Sequence, residues 1–155
     1  MEILIVGGAA GLLTGQLAAA YTTGDVDMVR CHLAKDHDAV LEAAVAVARR
    51  LGTLPPAWLN TDAGLFAWTL PRTWRRRAVE VVRSGRLRVL AAGRFDLIVM
   101  KFLAHRPQDM EHLQQLAPTP AERGRVTTHL EKLRKHRPNE AGRIDLAMQI
   151  IKDQP

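Results

Sequence analysis

Short apolar runs of strand character and longer stretches of helical periodicity follow one another along this chain. Ile3-Leu4-Ile5-Val6 reads as a strand that ends at Gly7-Gly8, and the Ala/Leu-rich segment from Ala9 to about Ala19 reads as a helix. Asp25–Val29 predicts a second strand. Asp36-His37-Asp38 offers a helix N-cap, and Val40, Leu41, Ala44, Val45, Val47, Ala48 and Leu51 follow at helical spacing until Gly52 stops them. Leu54-Pro55-Pro56 opens a long loop, whose Trp58, Phe66 and Trp68 are expected to pack on the core. Ala78–Val82 and Arg86–Ala92 read as a hairpin around Ser84-Gly85. Arg94–Ala104 is apolar nearly all round and predicts a buried helix. Thr119 and Pro120 start a helix that ends near Arg137-Pro138, and Asn139 starts a last one carrying Ile144, Leu146, Ala147, Ile150 and Ile151. Residues 1–116 are expected to form a core, with helices in 117–155 packed on it.

Composition changes this picture little. The 155 residues, 47% hydrophobic, suit one domain with a packed interior. The single cysteine, Cys31, excludes an internal disulfide, predicts a buried thiol and fits a cytoplasmic location. Met1-Glu2 lacks a basic leader, and no apolar run is long enough to span a membrane. The six histidines show no paired ligand spacing, which argues against zinc, and there is no Gly-x-Ser-x-Gly elbow. Charge matters more: 22 Lys and Arg against 16 Asp and Glu give a net +6, mostly from arginine. That suits an anionic partner such as nucleotide or RNA, although Arg/Ala-rich chains are also basic without binding anything. Arg72-Thr73-Trp74-Arg75-Arg76-Arg77 is the densest basic cluster, either a phosphate grip or a solvated rim.

The pointed chemistry lies in two segments. Asp25 and Asp27 stand one residue apart, so on a strand they share a face. Two neighbouring carboxylates repel unless a cation sits between them, and Mg2+ (or Mn2+) suits that place; solvated acids are the plain alternative. Before them, Gly7-Gly8 between a strand and a helix lets backbone N–H groups approach a phosphate.

Strand, diglycine bend, helix and a strand with Asp-x-Asp is the order of the polymerase-beta-type nucleotidyltransferases. More closely, the chain resembles the AbiEii-like nucleotidyltransferases, bacterial type IV toxin–antitoxin enzymes and their small relatives. The resemblance rests on Ile5-Val6-Gly7-Gly8-Ala9-Ala10, Tyr21-Thr22-Thr23-Gly24-Asp25-Val26-Asp27, Pro55-Pro56-Ala57-Trp58-Leu59-Asn60, and Asp96–Lys101 running into Ala104–Glu111. It implies an α+β fold: a small mixed β-sheet flanked by helices, with a helical C-terminal part. It further implies that Asp25 and Asp27 hold the metal, that a third carboxylate completes the site, and that Lys101, which on its residues alone either snorkels to the surface or reaches a phosphate, does the latter. Glu80, flanked by valines, is the candidate third acid, or else an outward-facing strand residue. Gly7, Gly8, Thr23, Arg106 and Asp109 are the candidate nucleotide-binding residues; Asp109 is otherwise a first-turn acid favoured by the helix dipole. The chain departs from the pattern at Ala9, where related enzymes use serine, and at Ala20, where relatives carry arginine. Three functions follow from the resemblance. One is a toxin-like transferase acting on RNA such as tRNA, with a nucleoside triphosphate as donor and a cognate antitoxin protein as partner. The second is a protein-nucleotidylating antitoxin, and the third a catalytically degenerate binding module.

Overall fold

The structure, a computed structural model, describes residues 1–18, 23–31 and 35–154. Five strands form one mixed sheet in the order β3-β2-β1-β5-β4: β1 (Glu2–Val6), β2 (Val26–Cys31), β3 (Leu59–Asn60), β4 (Val79–Ser84) and β5 (Leu87–Ala91). β1 runs antiparallel to β2 and parallel to β5, which closes an antiparallel hairpin with β4. The α+β architecture expected from the sequence is the one observed.

β1 is central because each of its faces is covered. Ile3, Leu4, Ile5 and Val6 are all buried, and successive residues point to opposite sides of a sheet. Ile3 and Ile5 face Val40 and Ala44 of helix α2 (Lys35–Leu51), whose Ala44 carbonyl accepts a 2.9 Å hydrogen bond from Trp58 Nε1. Val6 faces Leu97 and Met100 of helix α3 (Arg94–Ala104). The far side of α3 is apolar too. Ile98, Val99, Phe102 and Leu103 meet helices α4 (Pro107–Leu116), α5 (Pro120–His136) and α6 (Ala141–Asp153) through Leu113, Val126, Leu130, Ile144, Ala147 and Ile151. An all-round apolar helix is thus buried between a sheet and a helical layer.

The first helix departs from expectation. α1 spans Gly7–Leu13 rather than reaching Ala19. Thr14 Oγ1 donates back to the Ala10 carbonyl at 2.7 Å, and Gly15 takes the left-handed conformation that ends helices. Ala19, Ala20, Tyr21 and Thr22 lie outside the described residues, as does the side chain of Cys31. The loop after Pro55-Pro56 is more ordered than predicted. It supplies β3, paired parallel with β2, and a 3₁₀ segment over Asp62–Thr69.

The basic cluster is largely structural. Arg75 pairs with Glu2 at 2.5 Å. Arg77 makes a two-pronged bond to the buried Asp96 carboxylate, 3.0 Å from Nε to Oδ2 and 2.6 Å from NH2 to Oδ1. Burial raises the Asp96 carboxyl, and Arg77 opposes that rise. Removing one partner of a buried pair leaves the other charge uncompensated. Arg77→Met should therefore destabilise the protein by about 3 kcal/mol, a drop in melting temperature of roughly 6–12 °C by thermal denaturation.

Candidate functional site

Two adjoining cavities open beside the β1–α1 bend. One, of ≈ 110 Å³, is lined by Gly7, Gly8, Thr23, Asp25, Asp27, Asp62, Lys101, Arg106, Gln108, Asp109 and His112. The other, of ≈ 130 Å³, shares Gly7, Asp27, Asp62, Lys101, Arg106 and Asp109 and adds an apolar wall that includes Ala63, Phe66 and Met100. Either has room for a phosphate-sized group, since one water occupies about 30 Å³ of liquid volume. Eight of the nine residues singled out from the sequence meet here.

Topology explains the convergence. Val6 pairs with Asp27, so the turn after β1 sits directly beside that acid. Gly7 has φ +69°, and a methyl group on it would collide with Asp27 Oδ2. The glycine thus both permits the bend and makes space for the carboxylate. Asp25 lies one residue before the strand proper. Thr23 Oγ1 donates to its Oδ1 (3.2 Å), and Asn60 Nδ2 donates to its Oδ2 (3.2 Å). Asn60 Oδ1 in turn accepts the Asp62 backbone N–H at 3.0 Å, which fixes the start of the 3₁₀ segment against the two acids. Burial raises the Asp27 carboxyl above its ordinary value, and the negative charge of Asp25 adds to the effect.

Opposite the acids lies a cationic wall. Lys101 Nζ is buried, 3.3 Å from Asp109 Oδ1 and in hydrogen-bond contact with His112 Nδ1. Asp109 also accepts from Arg106, 2.7 Å to Nε and 3.3 Å to the backbone N–H, which closes the start of α4. Burial lowers the Lys101 ammonium, with Asp109 acting against it. Burial alone would raise Asp109, but Arg106 and Lys101 outweigh it and hold the carboxyl below its usual range. His112 is pushed down to about 4 by burial and then by Lys101. It is therefore neutral at pH 7, and its Nδ1 accepts a hydrogen bond donated by the Lys101 ammonium, which assigns the ring proton to Nε2.

Glu80 is not part of this assembly. β4 is the edge strand beyond β5, and the Glu80 carboxylate there is held by Arg83 (2.6 and 2.7 Å) and Arg88 (2.8 Å). The flanking valines signalled a strand but not its place in the sheet, and Glu80 does not stand next to β1 or β2. The acid that joins Asp25 and Asp27 at the cavity is Asp62, from the loop after β3. Asp62 and His112 escaped the sequence reading. The nearest signal for the first was Leu59-Asn60 just before it, and for the second its three-residue offset from Asp109.

Over residues 1–117 the chain matches the family described as nucleotidyltransferase of unknown function (DUF6036). It belongs to that family. Comparison with curated proteins and with solved structures gives no match. The family's defining description, nucleotidyl transfer, implies a nucleotide substrate, and the matched residues contain every group that lines the two cavities. No helix among the described residues is long and apolar enough to cross a membrane.

The donor set can be tested against a divalent ion. Among the described residues no three His, Cys, Asp or Glu side chains are placed to enclose a metal. Mg2+ does not require such a cage, since it commonly uses one or two carboxylates together with waters and substrate phosphates. Asp27, partly buried, and the exposed Asp25, whose negative charge acts on it, fit that mode.

Proposed function

We propose that this family member is a divalent-metal-dependent nucleotidyltransferase of the AbiEii-like kind, moving a nucleoside monophosphate from a triphosphate to a hydroxyl of RNA such as tRNA, with cleavage of the α–β phosphoanhydride bond and release of pyrophosphate. The observation that carries the reading is the meeting of Asp25, Asp27, the Gly7-Gly8 bend and the Lys101–Arg106 wall around one space. Asp25 and Asp27 would hold Mg2+ or Mn2+. Such an ion, when bound, supplies charge neutralisation on the phosphates and lowers the pKa of a coordinated hydroxyl. The protein's own share is positioning. Gly7 admits the substrate backbone-close, Thr23 and Asn60 aim Asp25, and Arg106 and Lys101 offset negative charge on the phosphates. The apolar wall at Ala63, Phe66 and Met100 gives the nucleoside a dry surface beside the phosphate end.

RNA as acceptor is supported by the net charge of +6 and by the exposed Arg72 and Arg76 that remain outside the Arg75 and Arg77 ion pairs. The test is incubation of the protein with each α-labelled nucleoside triphosphate, Mg2+, and either total tRNA or a cell lysate. Label on RNA is the expected result. Label on a protein instead would replace the RNA acceptor with a polypeptide one, and no label anywhere would refute the transferase.

A further inference from the structure

Lys101 is held in an unusual way for a buried cation. It projects from α3 toward α4, where Asp109 and His112 stand three residues apart and so share a face. Lys101, Asp109 and His112 are each no more than 3% exposed. A purely structural lysine would need one carboxylate to cancel its charge. Here Asp109 is already engaged by Arg106, 2.7 Å from its Nε. The second contact to Lys101 comes from a neutral imidazole, which grips the ammonium without cancelling it. Lys101 and Arg106 against Asp109 leave a local excess of one positive charge on this side of the cavity, facing Asp25 and Asp27 across it. An ammonium has three N–H donors. Asp109 and His112 take two.

We propose that His112 is a positioning residue for the polyphosphate end of the substrate: its unprotonated Nδ1, with Asp109, orients the Lys101 ammonium so that the third N–H is presented to a phosphate oxygen in the cavity. The identity of that ligand rests on the nucleotidyltransferase reading; the arrangement of the three side chains does not. The imidazole is suited to this task because it adds direction while leaving the positive charge intact. An aliphatic residue of similar volume would fill the same space but let the ammonium turn toward Asp109.

The test uses the full chain and inorganic tripolyphosphate as probe, with binding followed by calorimetry near neutral pH. His112→Leu should weaken tripolyphosphate binding by about tenfold or more, the size expected for misplacing one charge-assisted hydrogen bond. His112→Asn, whose amide oxygen can stand where Nδ1 stood, should recover most of that loss. Nitrogen-15 NMR of the wild-type protein should show the His112 proton on Nε2. A folded His112→Leu that binds tripolyphosphate as the wild type does, a His112→Asn that binds as weakly as His112→Leu, or a proton on Nδ1 would each overturn the proposal. If His112→Leu does not fold, the asparagine variant and the tautomer decide. The two proposals fail separately. Tripolyphosphate binding that follows this pattern without nucleotide transfer removes the transferase and keeps the role of His112. Transfer that is indifferent to His112→Leu does the reverse.

Discussion

Asp27→Asn is expected to lower nucleotide transfer by at least about 10³-fold, on the order of 4 kcal/mol of transition-state stabilisation, without weakening the fold. The loss of activity is read from initial rates of label incorporation at saturating triphosphate. Stability follows from the direction of the Asp27 shift. Burial and Asp25 raise the folded-state carboxyl above its unfolded value of 3.8, so the folded protein binds this proton more tightly than the unfolded chain. Stability is then lost as pH rises from the unfolded value through the raised one, and the loss is complete above it. Asparagine has the same shape and carries no such penalty. The variant should melt at or above the wild-type temperature near pH 7, and its stability should vary less with pH across the acidic range. Glu80→Gln, on the far edge of the sheet, should leave transfer unchanged. Transfer that survives Asp27→Asn would take the acid pair out of the mechanism.

Gly7→Ala is expected to lower transfer by about 10²-fold, the effect of a displacement of around 1 Å at a reacting centre, and to destabilise the protein as well. Two causes add. A left-handed φ is unfavourable for a residue with a Cβ by about 1–2 kcal/mol, and the new methyl runs into Asp27 Oδ2. Gly15 separates them. Its φ is also +69°, but nothing lies within 4 Å of the place its methyl would take. Gly15→Ala should therefore reproduce the backbone strain in a thermal melt and leave transfer near the wild-type rate. Equal activity in Gly7→Ala and Gly15→Ala would show that contact with Asp27 is immaterial.

The parts of this molecule that were legible in its sequence are those whose cause is local. α3 occupies Arg94–Ala104 as read from its nearly all-round apolar character, and α5 begins at Pro120 behind the Thr119–Glu122 capping box. The hairpin formed around Gly85, whose φ of +53° suits the turn. α1 was overextended because alanine and leucine favour helix beyond Leu13, whereas Thr14 and Gly15 ended it. The chemistry divides along the same line. Asp25, Asp27 and the diglycine announce themselves by spacing along adjoining segments. A third acid is a matter of strand order and loop path, which valines around Glu80 do not encode and which brought Asp62 to the cavity instead. His112 shares a helix face with Asp109 by its three-residue offset, but its pairing with Lys101 is visible only when α4 is folded back on α3.

The family match ends at residue 117, yet α3, which carries Lys101, has its outer surface closed by Val126, Leu130, Ile144, Ala147 and Ile151. Homology and cooperativity therefore draw different borders on this chain. An engineer who excised the matched segment would strip α3 of its roof and set Ile98, Val99, Phe102 and Leu103 against water. For this protein the minimal folded unit must be cut by what packs together, beyond the reach of what is recognisably shared.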